Sequence, residues 1–244
     1  MIIDSYAWRD GREAMLRFGP AEGPVTIIAL PLFEEANRTR TFAVTLCRAL
    51  ARLGIGSAIP DLPGQGESLV PSEDATILGM QEAYAIAAEQ LTGDGRVCFG
   101  VGIRSGALLD ALGLLAGRWH FAPQGGPDLL RELTRIKQAE LGPAVRLGDA
   151  WYLDGSPPAE AVDPAVEIAG NRLSPDLLTE LTVKQPFDQS GNPRRIVRLS
   201  SDQKPADRKV DAAPLWRRAE PGDDPALAAL LAEDIAQWIA SCGG

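Results

Sequence analysis

The chain has 244 residues, 45% of them hydrophobic and 23% charged, with a formal net charge of −9. That hydrophobic content supplies a sizeable core and excludes a disordered tail protein. Acidic and basic residues are spread along the whole chain, which excludes a nucleic-acid surface, since that needs clustered Lys and Arg to displace phosphate counterions.

Taken in order, the opening SYAWRDGREAMLRF gives two alternating runs around Asp10-Gly11, a hairpin signal. VTIIAL (25–30) is a continuous β-branched run, as expected of a strand covered on both faces. From Asn37 to Leu53, apolar Phe42, Leu46, Leu50 and Leu53 recur at helical spacing, and Gly54 closes the helix. A strand ending at Asp61 follows, then a glycine-rich loop in which Gly64 and Gly66 serve positive-φ backbone, then a helix over 74–92. Val97 to Val101 predicts a buried strand that runs through a tight turn into an amphipathic helix reaching about residue 112. RWHFAP (118–123) predicts the next strand.

Alternating strands and helices imply a mostly parallel sheet with right-handed crossovers. Residues 124–190 break the rhythm, with helical segments near 127–141 and 175–183 separated by DGSPPAEAVDPA. They predict a cap-like insertion over the carboxyl ends of the strands, where such sheets bind ligands. The core is then 1–123 plus 191–244. Its sheet resumes with RIVRLS (195–200) and APLW (213–216), and a final helix covers 224–240 with Leu227, Leu230, Leu231, Ile235 and Ile239 on one face.

The turn after the 97–101 strand reads Gly102-Ile103-Arg104-Ser105-Gly106. An α/β-hydrolase keeps its nucleophile here, in the pattern G-x-S-x-G, but this chain has arginine at the serine position. Ser-His-Asp hydrolysis also needs a base and a carboxylate that orients it. Asp202, just beyond its strand, fits the acid position; where the histidine belongs, the chain has Asp223 and Asp224. The single histidine, His120, lies in an apolar strand and reads as a core residue. Ser105 is one residue past the apex, with its backbone N–H at an oxyanion-donor position, and reads as a small residue at a helix start. An unusual catalytic constellation would have to draw on Arg104, Ser105, Glu35, Asp202 and His120, acting on an ester or thioester. No Cys, His or carboxylate cluster has metal-ligand spacing, and no cofactor fingerprint is present.

A guanidinium in that turn needs a partner, because an unpaired buried charge costs several kcal/mol. The loop after the 25–30 strand supplies Glu34 and Glu35, either of which can pair with Arg104. The pair forms an ionic lock, or Arg104 takes a small anionic or acyl ligand for which its planar fork is suited. The binding candidates are therefore Glu34, Glu35 and Arg104.

These residues carry a likeness. PLFEEANRTR resembles the PFAEEMNKSR pattern of the second exosortase A system-associated hydrolase family, and VGIRSGALL resembles its WGLRLGALL, which also has arginine at the elbow. FAPQGGPDLLRELTRIKQAE is similar to WQPVVSGKQFLTQFLRLRLA, AGNRLSPDLL is similar to GYRLSPAL, and Trp216 gives a fainter match. Ser105 replaces a leucine, Phe121-Ala122 a Trp-Gln pair and Asn171 a tyrosine. The resemblance implies an α/β-hydrolase fold in a bacterium that makes exopolysaccharide and sorts proteins with exosortase; it does not supply the missing base.

Three cysteines, Cys47, Cys98 and Cys242, form no C-x-x-C pair and read as apolar fillers in a reducing compartment. The start MIIDSYAWRDGRE lacks a basic stretch followed by an apolar run, and VTIIALPLF is far short of a membrane span. A soluble cytoplasmic protein is expected.

Overall fold

A computed structural model describes residues 1–93, 95–142, 165–218 and 220–243. Its main sheet has eight strands. β1 (Ile2–Trp8) and β2 (Gly11–Phe18) form the hairpin, and β3 (Val25–Ala29), β4 (Gly56–Pro60), β5 (Cys98–Ile103), β6 (Arg118–Phe121), β9 (Arg194–Leu199) and β10 (Arg208–Val210) complete it. The spatial order is β1-β2-β4-β3-β5-β6-β9-β10. β4 through β10 run parallel, with β2 antiparallel to β4 and β1 antiparallel to β2.

Because strand side chains alternate between faces, the central strands fill two cores. Val25, Ile27 and Ala29 of β3 face α2 (Ile77–Gly93), while Ile28 faces α1 (Glu34–Arg52) and α5 (Pro225–Ser241). In β6, Trp119 and Phe121 enter the α1/α5 core. Arg118 and His120 point to the other face, as the period of two requires.

Between β6 and β9 lie α3 (Gly126–Leu141), a separate hairpin of β7 (Val166–Ile168) and β8 (Asn171–Leu173), and α4 (Pro175–Leu181). Leu129, Leu130 and Leu133 of α3 and Leu177, Leu178 and Leu181 of α4 join the α2-side core. The hairpin turns through Ala169 and Gly170, both at positive φ, a signal the sequence reading passed over. Of the separating stretch DGSPPAEAVDPA, residues 154–164 lie outside the described residues.

Three expectations need correction. α1 starts at Glu34 rather than Asn37, directly after Phe33, whose φ of 60° turns the chain into the helix. APLW is not a strand: the sheet ends on the charged Arg208–Val210, and Leu215–Arg217 form a 3₁₀ turn. Pro214 has no N–H for a ladder, while a short charged edge strand shows no apolar alternation to read.

The third correction concerns the elbow. No amphipathic helix follows it, only a 3₁₀ turn over Arg104–Leu108, after which the chain runs irregularly to β6. β6 supplies the physical reason. Arg118 Nη2 donates to the carbonyls of Asp110 and Gly113, each at 2.9 Å, the acceptors that a continuing helix would use itself. The Asp110 carboxylate meanwhile turns inward onto His120, 2.7 Å away.

Candidate functional site

The turn after β5 carries Arg104 where the pattern G-x-S-x-G has serine. Arg104 has a φ of 54°, in the left-handed region that bulky residues avoid. Gly106 is required by close approach, since a Cβ there would stand 2.3 Å from the Ala29 carbonyl oxygen. Phe33 after β3 (φ 60°) and Ala122 after β6 (φ 47°) also have positive φ. Strained residues therefore follow three adjacent strands at their carboxyl ends, each costing about 1–3 kcal/mol, and such strain collects at ligand sites.

Arg104 is held on three sides. Its Nε and Nη2 each lie 3.2 Å from a Glu35 carboxylate oxygen, a bidentate pair in which both side chains are only 11% exposed. Nη2 also donates to Glu132 of α3, at 3.2 and 3.3 Å. The guanidinium carbon sits 4.7 Å from the centroid of the Trp216 ring. Trp216 is fixed in turn by Arg38, which donates to its carbonyl at 3.0 Å, and by an edge contact with Phe121. Glu34 does not reach the elbow; it pairs with Arg38 one turn along α1. Burial raises the Glu35 carboxyl above the usual glutamate range, against the opposing pull of Arg104.

Of the remaining candidates, the structure brings only Asp202 to Arg104's surroundings. Asp202 pairs with Arg198 at 2.8 Å and lines two clefts that share Arg104 as a wall, of about 210 and 320 Å³. Burial works against its charge, but the Lys204 amide and Arg198 hold its carboxyl below the usual aspartate range. Ser105 is fully buried, and its Oγ accepts the Leu32 amide at 2.9 Å. His120 is also fully buried, with Nε2 on Asp110 and Nδ1 without a partner. No hydrogen bond joins His120 to a serine among the described residues. Asp224 caps α5 by accepting the Leu227 amide, and Asp223 accepts from Thr45.

Glu132 and Gln124 escaped the sequence reading, although α3 carried a usable signal. Asp128, Arg131, Glu132 and Arg135 recur at i, i+3, i+4 and i+7, a charged stripe opposite the leucines, and all four line the 210 Å³ cleft. Among the described residues no group of three His, Cys, Asp or Glu converges as metal ligands, and no helix is long and apolar enough to cross a membrane.

No family model matches the chain, and no curated protein matches it in sequence. Solved structures do resemble it. Est1E from Butyrivibrio proteoclasticus, with ferulic acid bound, superposes with a TM-score of 0.58 at 13% identity, over 94% of this chain and 95% of its own. A haloalkane dehalogenase loop variant from Bradyrhizobium elkanii gives 0.60 at 13% identity, over 99% and 97%. A thermophilic esterase from Thermogutta terrifontis, with malate bound, gives 0.52 at 13%, over 99% of each. Identities this low speak to architecture alone. The twisted, mostly parallel eight-stranded sheet and these neighbours together establish that the chain has the α/β-hydrolase fold.

Proposed function

We propose that this protein is an α/β-hydrolase-fold binding or accessory factor that does not use Ser-His-Asp catalysis, and that Arg104 is its recognition centre. One observation carries this reading. The elbow apex holds a guanidinium in strained backbone, clamped by Glu35 and Glu132, at the wall of two clefts on the ligand-binding edge of the sheet. A serine hydroxyl without a base is a poor nucleophile, and Ser105 spends its acceptor on the Leu32 amide. The described part of the insertion, led by α3, acts as a cap beside this centre, to which Glu132 ties it. The Glu-Glu and elbow-arginine motifs support a link to an exosortase and exopolysaccharide system, and three free cysteines support a reducing, cytoplasmic setting. Ester or thioester hydrolysis is the competing activity; no contact among the described residues favours it.

Intact-mass spectrometry after incubation with a fluorophosphonate probe tests the proposal. The expected result is no adduct on the wild type. An adduct that disappears in Ser105→Ala would overturn the reading by revealing an activated serine. That variant leaves the buried Leu32 N–H without its acceptor and should unfold about 1–3 kcal/mol more easily, so its fold is checked by circular dichroism.

A further inference from the structure

The 210 Å³ cleft lies between α3 and the connection from β9 to β10, and its lining is almost entirely charged. Arg104, Arg131, Arg135, Arg198 and Lys204 face three carboxylates across it, an excess of two positive charges, of which Glu35 behind Arg104 offsets one. The chain as a whole carries −9, so this local excess runs against the overall field. Lys204 is engaged by Asp128 at 2.6 Å, Arg198 by Asp202, Arg131 by Asp128, and Arg104 by Glu132. Arg135 has no acidic partner among the described residues. A second, independent feature is Gln124, which is only 3% exposed and lines the same cleft. Its backbone N–H is spent on the Arg104 carbonyl, and its side-chain oxygen is buried with no hydrogen-bond partner. An orphaned buried acceptor costs about 1–3 kcal/mol unless a ligand supplies a donor.

We infer that this cleft binds a small phosphate monoester whose organic part presents a hydroxyl group to Gln124. The inference deepens the reading of Arg104 as a recognition centre and rests on it. Two properties select the ligand class. The cations come from the elbow, α3, β9 and the following loop, so donors approach from several directions; a tetrahedral group with three acceptor oxygens meets them, where a planar carboxylate presents two. A monoester also carries about −1.5 to −2 at neutral pH, which matches the excess of two on the cleft lining itself and meets Arg135, the cation there without an acidic partner among the described residues. The Gln124 oxygen is covered where it stands, so it gains a donor when its side chain turns into the cleft, and a neighbouring hydroxyl provides that donor without adding positive charge.

The test is a calorimetric titration of the whole chain with glycerol 3-phosphate, and with methyl phosphate, which lacks the hydroxyls. The variants are Arg135→Gln, Gln124→Leu and, at the opposite edge of the sheet, Arg12→Gln. Saturable binding to the wild type is expected. Arg135→Gln, an exposed site that leaves the fold intact, should weaken both ligands about tenfold, the effect of one charge-assisted hydrogen bond. Gln124→Leu should weaken glycerol 3-phosphate severalfold and leave methyl phosphate unchanged. Arg12→Gln should change nothing. No saturable binding, or equal losses in Arg12→Gln and Arg135→Gln, would overturn the site. Following the mixture by phosphorus NMR separates the two claims: release of inorganic phosphate would overturn the non-hydrolytic reading while leaving the binding site standing.

Discussion

Arg104 is where side-chain chemistry and backbone geometry meet. A strained turn that suits a small exposed nucleophile instead carries a long cation, and that cation is tolerable only because Glu35 and Glu132 answer its charge and Trp216 covers its face. Arg104→Met should therefore cost about 3 kcal/mol in urea unfolding at neutral pH, because it leaves the Glu35 carboxylate buried without a partner. Adding Glu35→Gln should recover part of that loss. A double variant as unstable as the sum of the single changes would show that the two side chains do not depend on each other. The sequence made this pairing legible up to a choice between two adjacent glutamates. Helical phase decides it: Glu35 falls on the buried face of α1 with Thr39 and Phe42, whereas Glu34 sits one residue round and faces Arg38. The start of α1 at Glu34 was not legible from its pattern, so that phase could not be applied in advance.

Among the elements, α5 packs on the sheet through its apolar face, and Asp234 adds a polar clasp to that contact. Asp234, 2% exposed, accepts from Arg195 at 2.7 and 2.8 Å, from Arg208 at 2.7 Å and from Trp119 Nε1 at 2.8 Å, joining α5 to β9, β10 and β6. Burial opposes its charge, but these donors prevail and hold its carboxyl at about 2. A carboxyl depressed in the folded state stabilises the fold above its ordinary range, about pH 4, and that contribution is lost as pH falls toward the folded value. Asp234→Asn should cost about 2 kcal/mol at pH 7 and flatten the acid limb of a stability-against-pH curve measured by chemical unfolding. Unchanged curvature below pH 4 would contradict this. The clasp was invisible in the sequence because its partners are 26, 39 and 115 residues distant. Local signals fared better: the Asp10-Gly11 hairpin, the buried runs of β3 and β5, and the apolar stripe of α5 all stand where periodicity put them. The elbow helix failed for the same reason that the clasp was hidden. Arg118 and His120, several residues downstream, claim the Asp110 and Gly113 carbonyls and the Asp110 carboxylate, which a local reading of GALLDAL as helix could not foresee.

Over the whole molecule, an α/β-hydrolase sheet presents an edge at which strained loops, a charged cleft and a more mixed one meet α3, while the candidate side chains Ser105, His120 and Asp202 lie apart from one another. Ser105 faces the β3 loop, His120 lies inside the sheet layer against Asp110, and Asp202 belongs to the cleft with Arg198. The architecture was readable because it follows from the order of strands and helices; the dispersal was readable only as an absence, a chain with no histidine after its last strand. The central claim is that this elbow lacks a base, and restoring the serine tests it most directly. Hydrolysis of p-nitrophenyl butyrate should be measured for the wild type and for Arg104→Ser, with the fold of each verified. Neither should exceed the uncatalysed rate, because a serine at the apex would have no histidine to take its proton, and Glu35 and Glu132 are placed to meet the far end of the Arg104 side chain. Strong turnover by Arg104→Ser would show a competent base within reach of position 104 and would contradict the account.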